Sequence, residues 1–212
     1  MTGVLCICKP AEITSFGVVA KVRGITRERK AGHTGTLDPM ATGVLPVLLG
    51  GATRFLDYLP DSNKRYLATF RLGETTDTQD CTGTVLTRRP VTADRAAVEA
   101  ALSAFRGEIM QVPPMYSAIK INGQKLYQLA RQGKEVERPA RPVTIHELEV
   151  LGQDESGDWL LRILCSKGTY VRTLCHDMGQ ALGCGGCMSS LRRTMAAGFT
   201  LADSHTIEEV QE

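Results

Sequence analysis

The sequence predicts an α+β fold built on a mixed or largely antiparallel sheet. Apolar strand-like runs and helix-like stretches alternate irregularly along the chain, and several neighbouring strand candidates are separated by hairpin-length connections. No internal repeat, low-complexity linker or apolar run of membrane-spanning length interrupts the 212 residues. A chain of this length can bury a substantial core, as one large domain or two small ones. Hydrophobic residues at 42% and charged residues at 23% exclude a disordered or membrane-embedded class.

The elements follow in order. Residues 4–8 read as a buried strand, then a turn and a helix with Thr14 or Ser15 as N-cap. Residues 44–49 form a second apolar strand closed by Gly50-Gly51, and 52–59 a short helix. Residues 66–72 and 84–87 read as strands joined by a polar turn at 77–83. Thr92 can cap a helix reaching Phe105, with Val98, Leu102 and Phe105 on one face. Residues 116–121 end at Asn122-Gly123, a strong hairpin signal. A helix over 125–132 stops at Gly133. Strands at 143–151 and 159–165, a helix at 169–182 ended by Gly183, a core strand at 188–195 and a terminal helix capped by Thr206 complete the reading.

The net charge of +2 does not announce nucleic-acid binding. Locally, however, Lys21, Arg23, Arg27, Arg29 and Lys30 crowd into ten residues. Arg192-Arg193 is one of several smaller clusters of the kind that usually forms solvated surface. The N-terminus lacks a basic start followed by a long apolar segment, so no secretory leader is evident and the expected location is the cytoplasm. Seven scattered cysteines do not form a secreted disulfide framework. Cys184 and Cys187 have the spacing of half a zinc site without a second ligand pair, so reduced thiols and no metal are expected.

The run GHTGTLDPMATGVLP at residues 32–46 carries the chemistry. It sets one carboxylate, Asp38, in a glycine- and threonine-rich loop ahead of an apolar strand. Pro39 biases Asp38 toward an extended conformation. On these grounds alone, Asp38 is either a reactive group or a turn residue bonding nearby backbone. Further motifs follow: Lys9-Pro10, Lys64-Arg65-Tyr66, RLGETTDTQDCTG at 71–83, PPMYSAIKINGQKLYQLARQG at 113–133, CSKGTYVRTL at 165–174 and Leu191-Arg192-Arg193. Together and in this order they closely resemble the bacterial tRNA pseudouridine synthase B family, from Gly3 to about residue 210.

That resemblance implies the pseudouridine synthase fold, with a central mixed sheet and an insertion near 62–135 that helps hold an RNA stem-loop. It implies conversion of uridine 55 in the T loop of tRNA to pseudouridine, with tRNA as partner and no membrane or obligatory protein partner. The reaction gains no atom and changes no oxidation state, so no cofactor is expected. Asp38 matches the catalytic aspartate; attack on C1′, addition to C6 and removal of the C2′ proton all remain open. Arg172 matches the arginine paired with it. Tyr66 matches the catalytic-site tyrosine that packs on the uracil and can take part in proton movement after C–C bonding, and Tyr170 and Leu191 match further walls of the pocket. His33 matches the histidine that fills the space of the flipped base. Arg27, Arg29 and Lys30 are candidates for contact with the RNA backbone.

The chain departs from the family at Met40, where leucine is usual, and at 183–188, which lacks the usual Ala-His. It also ends at Glu212, where the resemblance implies a further, smaller RNA-binding region. The expectation is therefore a catalytic domain over 1–212 without that C-terminal domain. A related synthase acting on another RNA stem-loop would use the same pocket. A non-catalytic tRNA-binding or folding module would not need Asp38, Tyr66 and Arg172 together.

Overall fold

The computed structural model describes residues 1–59, 63–121 and 123–212. The strands are β1 (Gly3–Lys9), β2 (Ala31–His33), β3 (Thr42–Leu49), β4 (Lys64–Leu72), β5 (Glu74–Thr76), β6 (Val85–Arg88) and β7 (Gly107–Gln111). They continue with β8 (Lys120–Ile121), β9 (Gln124–Lys125), β10 (Arg141–Gln153), β11 (Trp159–Cys165), β12 (Gly186–Ala196) and β13 (Phe199–Thr200). The α-helices are α1 (Ser15–Thr26), α2 (Arg95–Ser103), α3 (Leu126–Arg131), α4 (Val171–Ala181) and α5 (Ile207–Gln211). Gly50–Tyr58 and Leu201–Asp203 are 3₁₀ turns. The chain divides into two compact units, residues 1–67 with 191–212, and residues 68–190.

In the first unit β1 pairs antiparallel with β3 from Gly3↔Leu49 to Lys9↔Gly43, and β2 pairs antiparallel with β3. β12 joins β3 in parallel at Arg192↔Thr42 and Arg193↔Gly43. Both faces of β3 are covered, which is why it reads as a continuous apolar run. Leu45, Val47 and Leu49 pack with Ile7, with Val18, Val19 and Val22 of α1, and with Ile207 of α5. Val44 packs on the other side with Cys6 and Ala196. The buried positions of α1, at 15, 18, 19 and 22, form one helical stripe. Thr14 caps it by accepting from the Gly17 N–H at 2.9 Å, and Arg27 ends it at φ +53°.

The second unit carries the strand order β4, β11, β10, β7, with β10 antiparallel to both neighbours. The expected pairing of 143–151 with 159–165 is found there, lengthened at both ends of β10. The expected hairpin from 66–72 to 84–87 is not. Gly73 sits at φ +82°, where a Cβ would strike the Arg89 carbonyl at 2.8 Å, and the chain breaks off β4 at that point. The hairpin is instead formed by β5 with β6. Asp94 rather than Thr92 caps α2, accepting from the Ala97 N–H at 2.8 Å. Only Lys120–Ile121 of the expected 116–121 strand is extended; it pairs with Gln124–Lys125. Asn122 lies outside the described residues, as does residue 62, the start of the expected insertion.

Candidate active site

Asp38 stands on a loop whose backbone is fastened on both sides of it. Its own carbonyl accepts from the Ala41 N–H at 3.0 Å, closing a turn around Pro39. The Ser15 hydroxyl, at the head of α1, accepts from the Leu37 N–H at 2.7 Å and donates to the Leu37 carbonyl at 2.9 Å. Lys9 is fully buried and donates to the carbonyls of Pro39 at 3.0 Å, Ala41 at 2.6 Å and Pro10 at 2.7 Å. Burial pulls its ammonium down to about 8, while the Asp38 carboxylate pulls the other way. Arg193 is also fully buried, its guanidinium reaching the carbonyls of Val44, Gly35 and Thr36. The carboxylate is thus presented by backbone held in place by three side chains.

His33 closes β2, opposite Val47. Burial, helped by the positive charge of Arg193, lowers its imidazole below the ordinary range, so it is neutral at pH 7. Its Nδ1 is buried without a hydrogen-bond partner among the described residues. Tyr66 on β4 and Leu191 on β12 are both buried. Their strands are linked by the Thr194 hydroxyl donating to the Arg65 carbonyl at 3.3 Å. His33, Asp38, Tyr66 and Leu191 all belong to the first unit.

Tyr170 and Arg172 belong to the second. Tyr170 is the N-cap residue of α4, and both its backbone polar groups bond the Gln111 side chain, at 2.8 and 3.1 Å. Arg172 is buried; its Nη2 donates to the Tyr116 carbonyl at 2.8 Å and its Nη1 lies 3.7 Å from Asp80 Oδ2. Asp80 is buried too, and its other oxygen accepts from the Thr78 hydroxyl and from the N–H and hydroxyl of Thr82. This fixes the carboxylate so that Oδ2 faces the arginine. Next along α4, Thr173 donates to Gln79 at 2.7 Å.

Arg27 and Arg29 line an open groove of about 350 Å³ at the end of α1, with Arg23 and Glu28. Arg23, Arg27 and Arg29 make no hydrogen bond or ion pair among the described residues. Glu28 is occupied by the Met1 amino group at 2.8 Å and the Lys30 N–H at 3.1 Å. Lys30 is exposed but does not line the groove. All seven cysteines are free, and among the described residues no group of three or more His, Cys, Asp or Glu could hold a metal.

Sequence reasoning missed Asp80 and the Ser15 contact, and it grouped Arg193 with solvated surface clusters. Two signals pointed to them. Asp80 lies between Thr78 and Thr82, in the same hydroxyl-rich setting as Asp38. Leu191 and Arg193 are two apart on a strand, so a buried leucine places the arginine on the buried face.

The model of the TruB family pseudouridylate synthase N-terminal domain matches residues 23–171. The chain belongs to the TruB family. The model of the tRNA pseudouridylate synthase B C-terminal domain matches residues 172–212. The tRNA pseudouridine synthase B of Pseudomonas putida is 51% identical over 212 residues, all of this chain and 69% of the relative. That of Clostridium kluyveri is 49% identical over 208 residues, 98% of this chain and 72% of the relative. Among solved structures, a Cbf5-Nop10-Gar1 complex matches at TM-score 0.71 and 35% identity, covering 92% of this chain and 48% of that one. An H/ACA RNP bound to a substrate RNA containing 2′-deoxyuridine matches at TM-score 0.72 and 31% identity, covering 97% and 51%. The TruB chain therefore has the pseudouridine synthase fold, with a mostly antiparallel central sheet. No described helix is long and apolar enough to cross a membrane.

Proposed function

We propose that this chain isomerises uridine 55 in the T loop of tRNA to pseudouridine, with Asp38 as the reactive carboxylate. The observation that carries the reading is the fastening of the Asp38 loop by Ser15, Lys9 and Arg193, which holds one carboxylate on rigid backbone. The relatives named tRNA pseudouridine synthase B support tRNA as the substrate. The C1′–N1 bond breaks, the uracil turns, a C1′–C5 bond forms, and the proton lost from C5 is balanced by one gained at N1. The base must leave its stack first. A neutral His33 is suited to fill the vacated space by stacking, since it carries no hydration shell of an ion. Tyr66, Tyr170 and Leu191 form the walls for the uracil, and Arg172 is the cation that keeps Asp38 ionised during turnover. The whole of 1–212 serves as the catalytic domain, with the RNA-gripping insertion near 62–135. Arg27, Arg29 and Lys30 meet the RNA backbone, and the enzyme works in the cytoplasm.

Tritium release from tRNA labelled at uracil C5 tests the assignment. Asp38→Asn is expected to abolish release while tRNA binding stays within about threefold, because the amide neither attacks nor accepts a proton. Substantial turnover by that variant would falsify the role of Asp38.

A further inference from the structure

Two fully buried cations, Lys9 and Arg193, lie under the Asp38 loop. Their bonds run only to neutral backbone carbonyls among the described residues. A buried charge whose hydrogen bonds all go to neutral groups is costly. An apolar residue in either place would fill the space without that cost, so the donors must serve a geometry that packing alone does not provide.

The placement of Arg193 is specific. Its backbone is set by the parallel pairing of β12 with β3 at Arg193↔Gly43. Gly43, at φ +101°, admits this approach because a Cβ there would lie 2.1 Å from the Arg193 carbonyl oxygen. From that point the guanidinium donates through Nε to Val44 at 2.7 Å, through Nη2 to Gly35 at 3.1 Å and through Nη1 to Thr36 at 3.5 Å. Lys9 takes the carbonyls on the far side of Asp38, at Pro39 and Ala41. The planar fork can span neighbouring carbonyls in one rigid geometry, which an ammonium cannot.

We propose that Arg193 is a positioning residue for the reaction. It acts through the carbonyls of Gly35, Thr36 and Val44 to hold Asp38 in place, and its buried charge favours the ionised carboxylate. The inference rests on Asp38 being the reactive group.

Arg193→Lys keeps the charge and loses the fork; Arg193→Gln loses both. The saturated single-turnover rate of tritium release should fall at least about tenfold in both, since small misplacements of a reacting group carry losses of that order. The Kd for tRNA should stay within about threefold, which a loss of RNA contacts would not leave unchanged. In Arg193→Gln alone, the acid limb of the rate–pH profile should move to higher pH, because removing a nearby positive charge favours the protonated carboxyl. Amide exchange in residues 34–42 should quicken in both variants while the other strands stay as in the parent. A parental saturated rate in Arg193→Lys overturns the inference, as do a loss carried by Kd alone, an unmoved acid limb in Arg193→Gln, or variants that fail to fold. Asp38→Asn measured beside them separates the two readings. An active Asp38→Asn removes the reactive role of Asp38 and this inference with it, whereas a dead Asp38→Asn with a normal Arg193→Lys removes only the inference.

Discussion

Asp177 on α4 illustrates how burial alone changes a side chain. It has no hydrogen bond or ion pair among the described residues, and desolvation raises its carboxyl from 3.8 to about 6. The folded state therefore binds a proton that the unfolded chain releases between these two values. Stability falls as pH rises through this window, and the full cost is present at pH 7. Asp177→Asn is expected to stabilise the protein by about 2 kcal/mol at pH 7.5 and by almost nothing near pH 3.5. Denaturant titrations at the two pH values check this; an equal gain at both would assign it to packing instead. At this scale the sequence was most legible where a motif set the backbone, as in the turn at Asp38-Pro39. It was least legible where a charge was locally ordinary: nothing near Arg193 in the chain shows that the nearest acceptors lie 149 to 158 residues away.

Two glycines set how closely elements approach. Gly179 of α4 lies against the start of β12, where a Cβ would meet the Gly186 nitrogen at 2.2 Å, and Gly43 meets the Arg193 carbonyl in the same way. In both cases the obstacle is backbone, which cannot rotate aside. Gly43→Ala adds an unfavourable positive φ to the clash and is expected to cost at least about 3 kcal/mol, enough to abolish folding in a marginal domain. Gly179→Ala should cost less, since its helical backbone suits alanine and only the clash remains. Thermal melts of the two variants, read with tRNA binding of whatever folds, give the order. Periodicity found the buried strands and the stripe of α1 because one residue's surroundings repeat along the element. It misassigned the β5–β6 hairpin because the break depends on Gly73 facing Arg89, a contact between segments. It missed β7, an edge strand in which only Gln111 is buried and which therefore carries little apolar signal.

For the molecule as a whole, the near-neutral charge hides its distribution. With Glu28 occupied by the Met1 amine, Arg23, Arg27 and Arg29 give the end of α1 an uncompensated positive patch. If this patch meets phosphates, log Kd should vary linearly with log salt, and each lost contact should flatten the slope by about 0.7–0.9. The triple variant Arg27→Ala, Arg29→Ala, Lys30→Ala is expected to weaken tRNA binding uniformly and flatten that slope, with the saturated turnover rate within about twofold of the parent. Binding titrations at four salt concentrations decide it, and an unchanged slope removes the patch from the interface. Turnover should likewise survive exhaustive chelation, because the reaction is a redox-neutral rearrangement. Loss of activity on chelation, restored by added zinc, would contradict this.

The unit that carries Asp38 is assembled from the two ends of the chain, with residues 68–190 intervening. Its long-range clamp, from Gly35 to Arg193, spans 158 residues. Loop closure over such a separation is slow and comes late. During synthesis, Asp38 emerges early together with Lys9 and Ser15, and its loop gains the Arg193 bonds only when β12 has emerged and paired with β3. A chain that stops short of Arg193 displays the carboxylate proposed to react without the clamp on the carbonyls of Gly35, Thr36 and Val44. On the role proposed for Arg193, full activity waits until residues 68–190 have been made.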